Sequence, residues 1–157
     1  MERGKAGRSH YRQGTVSSDD TPLDDIHTGS GLVAEKAKRL QKLADLRQQG
    51  TNPYPYRFDR TVTLADLRRE HGELEPGTET GTVVSVAGRL MLRRVQGKLA
   101  FGTLADATGR IQLFAPSAST PDFEQFCELN LGDWIGVSGE VMTTRKGELS
   151  VKVHTLR

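Results

Sequence analysis

The chain has 157 residues, room for one ordinary domain with extensions, and 35% of them are hydrophobic, which points to a modest core. Twenty-two Lys and Arg stand against 20 Asp and Glu, so the net charge is only +2, which argues against a strong nucleic-acid polyelectrolyte and leaves room for a local basic face. The single Cys127 excludes an internal disulfide and a Cys-rich zinc site, no apolar run reaches the ~18 residues of a membrane helix, and Met1 opens no apolar leader. The expectation is a soluble, cytoplasmic protein with no membrane partner.

Residues 1–31 are rich in Gly, Ser and Thr with almost no paired apolar positions, so they read as a disordered arm that cannot offset its own ordering entropy. Its acidic cluster, Asp19, Asp20, Asp24 and Asp25, reads as solvated spacer rather than a metal site. From residue 32 to 49 the apolar positions Leu32, Val33, Leu40, Leu43 and Leu46 take helical spacing, and Gly50 supplies a stop. Lys36, Lys38, Arg39, Lys42 and Arg47 outnumber Glu35 and Asp45 on that helix, which suits either a solvated face or contact with phosphates. The two prolines of Asn52-Pro53-Tyr54-Pro55-Tyr56 force an extended path. A second helix follows over 64–71, capped by Thr63, with Asp66 as capping-box partner and Gly72 as its end. Residues 74–81 are acidic and turn-rich and read as a linker, so the helical extension and linker together occupy 32–80.

From Thr82 the period becomes two. Val84, Val86, Gly88, Leu90 and Leu92 share one face, and Ser85, Ala87, Arg89, Met91 and Arg93 the other. Gln96-Gly97 turns into a strand over 98–105. Asp106-Ala107-Thr108-Gly109 is a hairpin turn, and a third strand covers 110–115. A short helix over 121–129 carries Phe123, Phe126 and Leu129 on one side. Strands over 134–144 and from Leu149 onward close the pattern, with Ile135, Val137, Gly139 and Val141, then Leu149, Val151 and Val153, turned inward. Gly88, Gly102 and Gly139 fall inside strands, where a small barrel needs tight bends. Three strands, a short helix and two more strands are the layout of a mainly β, five-stranded OB-fold Greek-key barrel over 81–157, preceded by a helical segment; such barrels bind oligonucleotides on one face.

No nucleophile elbow or triad stands out. His10, His27, His71 and His154 are too scattered for a shared metal, and Cys127, beside Phe126, reads as a packing residue. The chain is therefore expected to be non-catalytic by itself. A binding face is easier to build: Arg89 and Arg93 with Arg94 and Lys98 at the turn, Gln112 on the parity opposite Ile111 and Leu113, and Glu148 on the last strand. Phe101 is ambiguous. Parity groups it with Leu99 and hence the core, unless a bulge near Gly102 turns it outward to form a platform for an unstacked base.

The runs Arg39-Leu40-Gln41-Lys42-Leu43, Asn52 to Phe58, Val86-Ala87-Gly88-Arg89, Gly97 to Phe101, Gly109 to Phe114, Leu131-Gly132-Asp133-Trp134 and Lys146 to Val151 together resemble the opening segment of bacterial class II lysyl-tRNA synthetases, over about residues 38–157. The Phe and Gln positions are shared with the aspartyl and asparaginyl enzymes; the helical start and the Asn-Pro-Tyr segment favour the lysyl branch. The resemblance implies an N-terminal anticodon-binding domain whose partner is lysine tRNA. Phe101 would stack on the central uridine and Gln112 would bond its edge, with Arg93 and Glu148 completing the pocket and Arg89 and Arg94 as neighbours. The family's class II catalytic motifs do not occur in these residues, so lysine activation is not expected of this chain, no cofactor is expected in it, and ATP and Mg would belong to the catalytic domain. A homodimer would form through that domain or through helix 32–49. Two other functions fit the residues: a general single-strand-binding OB protein, and a free-standing docking module.

Overall fold

The computed structural model describes residues 30–55 and 57–157. The chain divides into two compact units, 1–54 and 55–157. In the first, helix α1 spans Ser30–Gln48. Residues 1–29 lie outside the described residues, as does most of the arm expected there; Ser30 and Gly31, assigned to that arm from sequence, are helical instead. The expected stop is built as a Schellman motif. Gly50 takes φ +72°, its N–H donates to the Arg47 carbonyl at 3.1 Å, and Thr51 N–H donates to the Leu46 carbonyl at 2.9 Å. Pairs at i,i+4 support the exposed side, with Arg39 to Glu35 at 3.4 Å and Gln41 donating to Asp45 at 2.8 Å.

The second unit is a closed five-stranded barrel. Its strands are β1 (Glu79–Gln96), β2 (Leu99–Ala105), β3 (Arg110–Pro116), β4 (Trp134–Thr143) and β5 (Leu149–Leu156), in the order β1-β2-β3-β5-β4 with β4 closing on β1. Only β3 and β5 run parallel. Helix α2 (Leu64–His71) precedes the barrel and α3 (Phe123–Glu128) lies between β3 and β4. The inward parity is the expected one for Val84, Val86, Leu90, Ile111, Leu113, Val137, Val141, Val151 and Val153, all buried; Leu104, on the parity opposite Leu99, is buried as well. Phe126 of α3 and Leu64 and Leu67 of α2 add to the same core. At Gly102 a Cβ would come within 3.0 Å of Leu90 and 3.1 Å of the Phe126 ring, so the missing side chain is what lets the α3 aromatic seat against the wall.

Helix α2 is held to the β2–β3 turn by polar groups at its N-terminus. Asp66 N–H donates to the Thr63 hydroxyl at 3.1 Å, as the capping box requires. The Asp106 carboxylate accepts from Leu64 N–H at 3.2 Å and, inside its own turn, from Thr108 N–H at 2.7 Å and Gly109 N–H at 2.9 Å. Burial pushes the Asp106 carboxyl up, and bonds from the Thr108 side chain and from the backbone of Thr108, Leu64 and Gly109 outweigh it, leaving a value below the usual carboxylate range. Gly72 ends α2 with φ −68°, in the right-handed region.

Two expectations need correction here. Residues 79–81, assigned to a linker, belong to β1: Glu79 pairs with Met142, and the Thr80 hydroxyl donates to the Val141 carbonyl at 2.7 Å. Pairing with β4 supplies the order that their turn-rich composition lacks. Leu99, grouped with the core, is 40% exposed. Among the described residues no helix is long and apolar enough to cross a membrane.

Candidate nucleic-acid interface

One irregularity decides the face of the barrel. The register of β1 against β2 shifts between Leu90 and Leu92, so Met91 is an extra residue that reverses the alternation beyond it. Leu92 turns out, 55% exposed, opposite Thr103. Arg93 lies opposite the buried Gly102, and Arg94 opposite Phe101.

Phe101 and Leu99 therefore share a face, and that face is the outer one. Strand β2 alternates half-buried Phe101, Thr103 and Ala105 with buried Ala100, Gly102 and Leu104, and no bulge interrupts its ladder with β3. Phe101 faces outward without the bulge near Gly102 that its parity had required for this; the irregularity is on the neighbouring strand β1. Across the ladder Phe101 meets Phe114, ring centroids 5.3 Å apart and planes 30° apart, while the Arg94 guanidinium lies 5.5 Å from the Phe101 centroid. Two aromatic rings and a cation over one of them form a stacking platform.

Beside this row lies a second one, Thr103–Gln112–Ser150, in register across β2, β3 and β5. Gln112 donates its amide N–H to the Ser150 hydroxyl at 2.9 Å. The row opens into a depression of about 440 Å³ lined by Arg68, Thr103, Arg110, Gln112, Lys146 and Glu148. Arg68 reaches there from α2, donating to the Arg110 carbonyl at 3.0 Å and standing 3.8 Å from the Glu148 carboxylate. Three cations against one carboxylate suit an anionic ligand, and the amide, hydroxyl and carboxylate can meet a base edge.

Of the residues singled out from sequence, the structure brings Phe101, Gln112, Glu148 and Arg94 onto this one region. It parts Arg93 from them: the guanidinium donates to the carbonyls of Cys127 and Leu129, at the C-terminal end of α3, where it caps the helix. Arg89 is on the outer surface, but its register partner is Ala105, four residues along β2 from Phe101 and roughly 13 Å away at strand spacing. Its guanidinium lies 5.3 Å from the Trp134 ring. Cys127 packs against the core, and burial pushes its thiol up, away from a nucleophilic thiolate.

Sequence reasoning missed Phe114, Arg68 and Lys146 as members of the face. Phe114 was legible, lying two residues from Gln112 on the same strand parity. Arg68 was not, since only the docking of α2 carries it there. Among the described residues no group of three or more His, Cys, Asp and Glu could hold a metal; His10 and His27 lie outside them.

A small closed barrel with a helix between its third and fourth strands, and an aromatic, cationic and amide-bearing outer face, is an OB-fold. The tRNA anti-codon family, described as an OB-fold nucleic acid binding domain, matches residues 84–157. The curated homologues of the chain are lysine–tRNA ligases. It is 53% identical to that of Synechococcus sp. (strain CC9311) over 117 residues, 73% of this chain and 24% of the relative. It is 44% identical to that of Prochlorococcus marinus (strain MIT 9313) over 136 residues, 80% of this chain and 27% of the relative. The chain thus spans about a quarter of the length of the curated relatives it matches.

Proposed function

We propose that the outer barrel face binds the anticodon loop of lysine tRNA and reads its uridines, as the module that docks this tRNA for a lysine–tRNA ligase. The observation that carries the reading is the adjacency of the Phe101–Phe114 platform, with Arg94 above it, to the Gln112 amide in the next row. A base unstacked from the loop lies on Phe101 and turns its edge toward Gln112 and Glu148, while Arg68, Arg110 and Lys146 meet the phosphates. Uracil offers two carbonyl acceptors and one N–H donor, which an amide can match. In this arrangement Arg94 stands where the sequence had suggested Arg93, and Arg93 acts through α3. The proposal concerns RNA recognition, and ATP and Mg have no part in it.

The test is a titration of the chain with labelled anticodon stem-loops carrying UUU or the same loop with a changed central base, followed by anisotropy. The expected result is tighter binding of the UUU loop. Equal binding of both loops would make the face a general single-strand binder; no binding of either would point to a protein-docking role.

A further inference from the structure

We infer that Ser150 sets the pyrimidine specificity of this face by locking the Gln112 amide with its carbonyl toward the RNA; the inference rests on the anticodon reading above. Ser150 is fully buried in β5 and is the register partner of Gln112. A serine hydroxyl has one proton to give. Here it goes to the Glu148 carbonyl at 3.0 Å, and that carbonyl is itself held in the β4–β5 turn by Thr144 N–H at 2.9 Å. What the Ser150 oxygen has left is acceptor capacity, and Gln112 Nε2 fills it at 2.9 Å.

The amide is therefore oriented by a relay running from Gln112 N–H to the Ser150 hydroxyl to the Glu148 carbonyl. Rotated by half a turn, it would set Oε1 against that oxygen and keep a bond only by drawing the Ser150 proton away from the Glu148 carbonyl. Gln112 Oε1 has no partner among the described residues, and no buried side-chain polar atom among them lacks one, so Oε1 is open to solvent on the lining of the depression. An outward acceptor meets N3 of a pyrimidine differently in the two cases. Uracil N3 carries a proton and pairs with it, whereas cytosine N3 is a lone pair and is repelled. An amide free to rotate would present its NH₂ to cytosine and lose this distinction. Ser150 is a positioning residue, acting on the base through Gln112.

The experiment compares UUU and UCU stem-loops against the wild-type chain and Ser150→Ala, with thermal melting alongside. The expected result is a UUU preference in the wild type that narrows by about tenfold in Ser150→Ala, mainly through tighter binding of UCU. A merely loosened barrel would weaken both loops alike and keep the ratio. An unchanged ratio in a folded Ser150→Ala overturns the inference and leaves the anticodon reading standing. A wild type without preference overturns the anticodon reading and the inference with it. Should Ser150→Ala not fold, Ser150→Cys, of similar size and with only a weak hydrogen-bonding sulfur, carries the same comparison. A nuclear Overhauser contact between the Gln112 amide protons and Ser150 Hβ is expected in the free wild type, and its absence overturns the lock directly.

Discussion

The outer surface of the barrel carries two arginine–aromatic pairs of nearly equal geometry, Arg94 over Phe101 at 5.5 Å and Arg89 over Trp134 at 5.3 Å. Trp134 is the larger ring and is 68% exposed, so by stacking area alone it is the better platform. Its surroundings differ. Trp134 opens β4, three residues after the exposed Leu131, and its ladder partner is Arg89 itself. Phe101 has Phe114 across the ladder and the Thr103–Gln112–Ser150 row one step along the strand. An exposed aromatic with a cation is only an adhesive surface. Polar groups held at fixed positions beside it are what let a surface tell one base from another.

The sharpest way to break this comparison is to remove what holds the face in place. Arg93→Ala strips two carbonyls at the end of α3 of their charged donor, and urea denaturation should show a loss of about 2–3 kcal/mol. If Arg93 instead touched RNA, stability would hold and binding alone would fall. Next in size, Phe101→Ala should weaken a UUU stem-loop by about 1–3 kcal/mol, roughly 5- to 150-fold by anisotropy, with melting little changed because the ring is half-exposed. An unfolded Phe101→Ala would place the ring in the core and end its role as a platform.

Asp106→Asn tests the attachment of α2, which brings Arg68 to the depression. Every group Asp106 bonds is a donor, so an amide NH₂ would face N–H groups; stability at neutral pH should drop by about 1 kcal/mol. The folded carboxyl titrates below its unfolded value of about 3.9, so its contribution is fully present above that value and is lost as pH falls through the folded one. Denaturation curves of wild type and variant should therefore converge as pH falls below about 4. Arg94→Ala should cost ~0.5–1 kcal/mol of RNA binding and, where the cation also meets phosphate, lower the salt slope by about 0.7. Smallest of all, Trp134→Ala should leave anticodon-loop affinity within about twofold. A loss there comparable to that of Phe101→Ala would make the two pairs equivalent and refute the distinction drawn between them.

Helix α1 offers the plainest case of an element legible without its environment. Its spacing and its Gly50 stop were readable residue by residue, yet Leu32, Val33 and Leu40 are more than half exposed. Periodicity specifies which residues share a side; it does not supply the surface that covers them. The barrel strands show the other half. Val84, Val86 and Leu90 could be assigned inward because alternation is a local property of an extended chain, and their burial follows once opposing strands exist.

The sequence by itself determined the order of the elements, the caps at Thr63 and Gly50, the inward valines, and the residues Gln112 and Glu148 as candidates for one face, since each of these depends on spacing along a single segment; its spacing left Phe101 between core and surface. Only the tertiary structure decided which of Arg93 and Arg94 looks outward, that Leu99 and Phe101 lie on the outer face together, that residues 79–81 join β1, and that Arg68 reaches the site. The physical reason is common to all four. An extra residue at Met91 is visible only against the register of β2, and the order of 79–81 and the place of Arg68 come from pairing with β4 and docking on β3, which are relations between segments that no single stretch of chain encodes.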